Sequence, residues 1–568
     1  MPRPLALAKP LPLVPRAAPP PRPVPPLGAP RPADAIREPG AGGAENFDAG
    51  LEDVVAHSKS GIDYLTVALA ISLSIGAGYL VKKYSRSADE SAVAENEPFI
   101  TYTPLETDRY PGMPTEIPPG RPGNLTPDQE AKLKEFWQAT LKVFGVLHEP
   151  NGSISGTSTP STAHISSADL KDEGSGKKKK SRLHLFGKKH HDSEGDADSP
   201  AISEDEDKHG QTKEFHKALA SQTPEALRAA FWSMVKHDHP DGLLLRFLRA
   251  RKWDVQNALV MLVSTMHWRS EDMHVDDDIV KRGEEGSLED AKSSAAATRR
   301  EGEDFMSQIR MGKSFLHGVD KDGRPMCFVR VRLHKQGEQS EASLERFTVY
   351  TIETARMMLR PPVDTATIVF DMTGFSMANM DYTPVKFMIK CFEANYPESL
   401  GSVLVHKSPW IFQGIWKIIK GWLDPVVASK VHFTSSNEEL EAFVPRSQII
   451  KELGGHEEWS YQYVEPKAGE NAQMQDTAAR QKLETERSEL VRSYESATVA
   501  WMRGEAGVGE KRTGLAEQLR SNYWRLDPYV RARTLYDRVG VLQAGGKLDF
   551  YPKAGATARA STSADDLD

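Results

Sequence analysis

Apolar residues change their spacing several times along this chain, and each change marks a boundary. Thr126-Pro127-Asp128-Gln129 is a good helix start, and Leu133, Phe136, Trp137, Leu141, Phe144 and Val146 follow at helical spacing. Pro224 opens another helical stretch through Val235, and Asp238 to Arg251 holds a third, with Leu243, Leu244, Phe247 and Leu248 apolar. Val255, Ala258, Leu259, Leu262, Val263 and Met266 mark a fourth at i, i+3, i+4, i+7, i+8 and i+11. From Lys313 the pattern changes. The turn Asp320 to Pro325 leads into a strand, Met326 to Val331. Helix Ser343–Leu359, strand Thr365–Asp371, helix Thr383–Asn395, strand Ser402–His406, helix Pro409–Gly421 and strand Lys430–Thr434 follow. Short apolar strands alternating with amphipathic helices predict an α/β sheet covered by helices. After Pro466 the pattern returns to charged helices, including Ala479–Met502 and Pro528–Val539.

The stretches between these elements lack such patterning. The first 32 residues hold 13 prolines and no acid. A targeting presequence needs that basic, acid-poor character but also an amphipathic helix, which proline at this density prevents, so a disordered polyproline-like tail is the better reading. Tyr64 to Val81 is an uncharged run that would span roughly 27 Å as a helix. Lys82, Lys83 and Arg86 follow it, so a single-pass anchor here would leave the rest of the chain in the cytosol. Ser72, Ser74, Gly76 and Gly78 speak instead for a buried or interfacial helix. Met113 lies beyond the window, and an internal start there would delete it. Residues 150–212 read as a disordered insert, with a basic run from Lys177 to Lys189 and an acidic block from Asp192 to Asp207. The basic run either adsorbs to anionic lipid, at about 1 kcal/mol per residue, or is neutralised by the acids beside it, or serves as a nuclear address. Gly283 to Glu303 reads as a second flexible insert. The expected organisation is a disordered region 1–123, a helical unit 124–272, an α/β domain 273–466 and a helical extension 467–568.

Composition narrows the function. With 39% apolar and 27% charged residues, the chain is too apolar for wholesale disorder and too polar for a multi-span transporter. A net charge of −8 argues against nucleic acid as a partner. Two cysteines, Cys327 and Cys391, exclude a disulfide framework and a cysteine-rich zinc module, and fit a reducing compartment. Asp371-Met372-Thr373-Gly374 is a lone D-x-x-G match, and the glycine-rich Gly504–Lys511 lacks a Gly-Lys step. No G-x-S-x-G elbow occurs, and neither His237/His239 nor His190/His191 has metal-ligand spacing. Catalytic residues, a metal and a cofactor are therefore not expected. Helix Ile411–Leu423 is apolar almost all round, with only Lys417 and Lys420 charged, so it is either core or meets lipid.

Leu244 to Val255 (LLRFLRARKWDV), His267-Trp268-Arg269, Asp320 to Pro325, Asn395-Tyr396-Pro397-Glu398 and Leu423-Asp424-Pro425-Val426 to Lys430 resemble, in order and spacing, the CRAL-TRIO lipid-binding family. The nearest look is to fungal phosphatidylinositol transfer proteins with a helical C-terminal extension. The resemblance implies a non-enzymatic carrier at the cytosolic face of membranes, enclosing one phospholipid, phosphatidylinositol, behind a mobile helix. It implies a headgroup site of Arg251, Lys252, Glu398 and Lys430. Arg251 and Lys430 would pair with the phosphodiester, and Glu398 would accept from inositol hydroxyls. It implies a gate of Ile411, Phe412, Ile415, Trp416, Ile419 and Trp422. Val427 stands where the family's phosphate-binding threonine is expected, so one hydroxyl donor is missing. Phosphatidylcholine residues do not carry over, which leaves a sterol or another hydrophobic ligand open. A membrane-anchored lipid-sensing scaffold is the rival reading, with protein partners recruited through 467–568. The aromatics of Asn522 to Tyr529 then either dock on the domain or meet a partner.

Overall fold

The computed structural model describes residues 110, 112–147 and 207–552. The proline-rich tail, the 64–81 window and most of the 150–212 insert lie outside them. Among the described residues, no helix is long and apolar enough to cross a membrane.

Five helices form the first layer: α1 (Pro127–Val143), α2 (Gln211–Ser221), α3 (Pro224–Val235), α4 (Pro240–Ala250) and α5 (Val255–His267). Their starts follow local chemistry. Thr126 and Gln129 form a reciprocal capping box, Pro240 occupies the first turn of α4, and the Asp254 carboxylate accepts from Asn257 N at 2.9 Å to cap α5. The apolar stripes of these helices bury Phe136, Trp137, Phe231, Leu244 and Leu262 in one core. Residues 207–212, read from sequence as the end of the insert, are ordered: Asp207 accepts from Thr212 N at 3.0 Å, and α2 begins at Gln211.

The 283–303 stretch is not a flexible insert. It forms α6 (Lys281–Asp290) and α7 (Ala296–Arg310). Their backbones approach so closely at Gly302 that a Cβ there would fall 2.5 Å from the Ser287 carbonyl oxygen. Arg282 pairs with Asp290 at 2.7 Å, and the fully buried Glu284 accepts from Tyr350 at 2.6 Å and pairs with Arg538. Glycine and charge, which mimic a linker in sequence, here serve close packing and buried ion pairing.

The sheet has order β1-β2-β3-β4-β5, comprising β1 (Ser314–Val319), β2 (Pro325–Arg330), β3 (Ala366–Asp371), β4 (Leu400–His406) and β5 (Val431–Thr434). β1 runs antiparallel to β2, and the others are parallel. Connecting helices α8 (Glu341–Arg356), α9 (Tyr382–Lys390), α10 (Phe412–Lys420), α11 (Pro425–Ser429) and α12 (Asn437–Leu440) complete this domain. Alternate side chains serve two faces, as the strand period of two requires. Met326, Phe328, Val369 and Leu404 pack with Ile449 and Leu453 on one side. Val329, Ile368, Phe370, Val403 and Val405 face the other, which is hollow.

The extension forms α13 (Thr477–Met502), α14 (Val508–Val530) and α15 (Leu535–Arg538). The expected helix Pro528–Val539 is not present: Pro528 lies in the last turn of α14, Arg531 beyond it is extended, and α15 is a single turn capped by Thr534 and Asp537. Arg531 bridges Asp527 at 2.6 Å and Asp537 at 2.8 Å, which holds the corner. The aromatics of 522–529 dock on the domain. Tyr523 and Trp524 are buried, and the Trp524 ring lies 4.9 Å from His237. Gly546 lies flat on that indole, where a Cβ would come within 2.2 Å. One carboxylate ties the extension to the first layer. Asp241 Oδ1 accepts from Trp137 at 2.7 Å, Tyr494 at 2.9 Å and Arg512 at 2.6 Å. Burial would raise the Asp241 carboxyl, but Arg512 and then His239 outweigh it and hold it below the usual range.

Candidate functional site: an apolar cavity beneath a short helix

The hollow face of the sheet bounds a cavity of about 230 Å³. That exceeds the roughly 150 Å³ of an apolar cavity that stays dry and takes up benzene. Its wall is built from the inward residues of β2 to β5, with Phe347 and Thr348 of α8 and Val385 and Met388 of α9 opposite. A smaller chamber of about 80 Å³ shares Ser314, Val329, Ile368 and Leu400 with it and ends at Ser399. The cavity follows the strands. Leu400 and Val431 mark the ends where the parallel strands begin, and Arg330 and Met372 the ends where they finish. At about 3.3 Å per residue this is on the order of 20 Å.

The α10 helix covers the cavity. Phe412, Trp416 and Ile419 line it, and Ile415 is buried beside them. The opposite side is also apolar and faces water: Trp410 is 86% exposed, Ile418 48% and Ile411 39%, with Lys417 and Lys420 among them. Ile411 therefore points away from the hollow. Trp422 lies beyond the helix end, edge-on to Tyr382 at 5.2 Å with the Lys386 ammonium over its ring.

Polar groups gather where the strands begin. Glu398 immediately precedes the chamber residues Ser399 and Leu400, and Lys430 precedes the wall residue Val431. Their side chains face each other, Lys430 Nζ to Glu398 Oε2 at 3.9 Å. Glu398 has φ +51°, a left-handed conformation that costs a non-glycine residue roughly 1 kcal/mol. Arg246 Nη1 holds its carbonyl at 2.7 Å, and the adjacent Tyr396 hydroxyl donates to Glu353 at 2.9 Å. Arg269 pairs with the same Glu353 at 2.7 Å, so the turn rests on a buried ion cluster. Arg251 is joined to this turn indirectly: it donates to Gln211 Oε1, and Gln211 Nε2 donates to the Ala394 carbonyl at 3.1 Å. Lys252 is exposed with φ +51°, and its ammonium has no partner among the described residues. Val427 lines the cavity in this region.

Several groups that the sequence reading did not single out belong to the same region. Glu393 accepts from Asp424 N at 2.6 Å, Lys208 Nζ at 2.7 Å and His209 Nε2 at 2.8 Å. Lys208 also reaches the Trp422 carbonyl. These bonds pin the segment that follows α10. Burial opposes the charge on Glu393, but the bonds from His209, Asp424 N and Lys208 outweigh it and hold the carboxyl below the usual range. At the far end, where the strands finish, Lys313, Ser314, His334 and Asp381 stand in the wall. None is signalled by a local motif.

One group among the described residues brings carboxylates and an imidazole together, Glu214, His267 and Asp272. Lys217 lies 3.2 Å from Glu214 and 3.6 Å from Asp272, so an ammonium already pairs with both acids.

The profile of the CRAL/TRIO domain matches residues 309–455, and that of the CRAL/TRIO N-terminal domain matches residues 211–264. The chain is 48% identical over 341 residues to the CRAL-TRIO domain-containing protein C3H8.02 of Schizosaccharomyces pombe, covering 60% of this chain and 74% of that protein. It is 42% identical over 337 residues to the phosphatidylinositol transfer protein CSR1 of Eremothecium gossypii, covering 58% and 75%. The SEC14 cytosolic factor of Yarrowia lipolytica is 29% identical over 235 residues, covering 38% and 43%.

Proposed function

Because the chain belongs to the CRAL-TRIO family, we propose that it carries phosphatidylinositol between membranes, one molecule at a time, and is not an enzyme. The observation that supports this best is the apolar cavity under a helix that is apolar on both sides. Each buried methylene of an acyl chain contributes about 0.8 kcal/mol, so a dry hollow competes with a bilayer for the same chain. In water the inner face of α10 prefers the hollow. At a bilayer, Trp410, Ile411 and Ile418 enter the interface, Lys417 and Lys420 meet anionic headgroups, and the helix swings off the mouth. Phe412, Ile415, Trp416 and Ile419 form the movable wall, and Trp422 anchors its trailing end.

The headgroup would sit where Glu398 and Lys430 meet. Lys430, with Arg251 and Lys252 toward solvent, would hold the phosphodiester, while Glu398 accepts from inositol hydroxyls. The similarity to CSR1, a phosphatidylinositol transfer protein by name, supports this choice of headgroup. Val427 removes one hydroxyl donor and favours a second reading, a carrier of a sterol or similar ligand with little headgroup. Two buried free thiols, Cys327 and Cys391, suit work on the cytosolic side.

Transfer of labelled phosphatidylinositol between vesicles tests the reading. Wild-type protein should accelerate transfer, and Glu398→Ala with Lys430→Ala should lose at least tenfold while keeping the thermal transition. Undiminished transfer by the double variant rejects the headgroup site. Sterol transfer without phosphatidylinositol transfer selects the second reading.

A further inference from the structure

The cavity has a second polar end. Some six residues along the strands from Glu398 and Lys430, where β1 and β2 meet, the wall contains Lys313, Ser314 and His334. Lys313 is 6% exposed, and among the described residues no carboxylate lies within salt-bridge distance of its ammonium. Its bonds go to two neutral amide oxygens, Gln339 Oε1 at 2.9 Å and Gln308 Oε1 at 3.4 Å. The Gln308 amide nitrogen donates to Ser343, which turns its oxygen toward the lysine. Ser314 lines both chambers, and its hydroxyl has no hydrogen-bond partner among the described residues. A buried ammonium held only by neutral amides, with its acids beyond salt-bridge distance, and a hydroxyl without a partner are costly features in a largely apolar wall.

We propose that this end is an anion-binding subsite, and that it takes the carboxylate of a single-chain fatty acid whose tail runs along the strands toward Leu400. The carboxylate would pair with Lys313 Nζ and accept from the Ser314 hydroxyl. The charge balance favours a carboxylate over a phosphomonoester. Lys313 supplies one positive charge, and Asp381 faces the same space, held 3.3 Å from His334 Nε2. Asp304 and Glu338 lie farther out and also act on Lys313. Arg330, the other cation in the wall, is committed to Glu452 at 2.7 Å. With these acids already facing the lysine, a second negative charge on the ligand would cost more than a single one, which favours the carboxylate.

Burial lowers Lys313 to about 8, against the pull of Glu338, Asp381 and Asp304. The empty site is therefore charged at pH 7 and largely neutral at pH 9.5. His334 is lowered by burial first and by Lys313 next, against Asp381, so it stays neutral over this window. The inference rests on the cavity being a lipid site, but not on phosphatidylinositol being the ligand.

The test titrates delipidated full-length protein with oleate, with oleyl alcohol and with a short-chain phosphatidate, at pH 7 and pH 9.5. It uses wild type, Lys313→Met and Lys313→Gln, and measures phosphatidylinositol transfer in parallel. At pH 7 wild type should bind oleate at least tenfold tighter than oleyl alcohol. That preference should shrink at pH 9.5 and vanish in both variants, with alcohol binding changed less than twofold. Equal affinity of wild type for oleate and the alcohol overturns the proposal, as does a preference that survives Lys313→Met. Phosphatidate binding tighter than oleate overturns the choice of a carboxylate. If no lipid binds and no transfer occurs, the cavity reading itself has failed and the subsite falls with it.

Discussion

Replacing Glu393 with alanine should loosen the helix over the cavity without unfolding the protein. The carboxylate holds the segment after α10 through Asp424 N, His209 and Lys208, at 2.6, 2.8 and 2.7 Å. Bonds to a charged group contribute roughly 1.5–3 kcal/mol each when dry, but Lys208 is 39% exposed and counts for about 0–1 kcal/mol. Asp424 N and His209 are re-solvated when the segment opens, which trims their share as well. A net closed-state contribution of about 2 kcal/mol is reasonable, and at 1.4 kcal/mol per tenfold this is a roughly 30-fold shift toward the open form. Amide hydrogen exchange reads it directly. Peptides covering 411–424 should exchange about 10–30-fold faster in Glu393→Ala, while those from α13 and α14 keep the wild-type rate. Glu393→Gln, which retains an acceptor for Asp424 N, should fall between. Acid should mimic the substitution. The carboxyl is held low in the folded state, so its stabilisation is present above the ordinary carboxyl range and lost as pH falls through the depressed value. Unchanged exchange over 411–424, or equal acceleration everywhere, refutes the latch.

Three further outcomes follow from the geometry. Glu398→Gly should raise thermal stability by up to about 1 kcal/mol by relieving its φ of +51°, yet cut phosphatidylinositol transfer as much as Glu398→Ala does; scanning calorimetry beside the vesicle assay separates the two effects. Gly546→Ala should cost at least 2 kcal/mol in urea unfolding, because its Cβ would meet the Trp524 indole at 2.2 Å. Burial holds His237 down at about 3 and His239 at about 4, so the unfolded chain binds the extra protons below pH 6.5. Stability should therefore fall as pH drops from 6.5 toward 4, by up to about 1.4 kcal/mol per unit for each ring, and the fall measured by denaturant titration should shrink in His237→Phe.

Helices with a continuous apolar stripe were legible in the sequence. α1, α3 and α5 lie where Phe136, Phe231 and Leu262 recur at helical spacing, because burial on one face imposes that period. The parallel strands were legible as short apolar runs, since both of their faces are covered. β1 was not, because it contains a histidine and a glycine. His317 is satisfied by stacking on Trp459 at 3.8 Å and by Glu457 at 2.7 Å, and Gly318 sits at a register shift with φ +61°. The 283–303 hairpin was misread for a similar reason, its glycine and charge being consumed by contacts made elsewhere in the chain. Pro528 suggested a helix start but lies in the last turn of one, and the Asp527–Arg531–Asp537 cluster sets the corner that follows.

The candidate site divides the same way. Glu398 and Lys430 stand in motifs whose spacing survives in one dimension, so a resemblance located them. Lys208, His209 and Glu393 meet across about 185 positions, and Lys313 acquires its character only from the hollow it borders. No local pattern encodes either arrangement.

The knot at Asp241 also bears on how the molecule is made. Tyr494 and Arg512, the co-donors of Trp137, are synthesised about 360 to 375 residues after it. At roughly 5–20 residues per second, the ribosome needs about 20–75 s to travel from Trp137 to Arg512. Once made, the Asp241 carboxylate and the greasy flanks around it wait for their closing helices. Termination anywhere between Trp137 and Arg512 would leave the first-made layer unsealed.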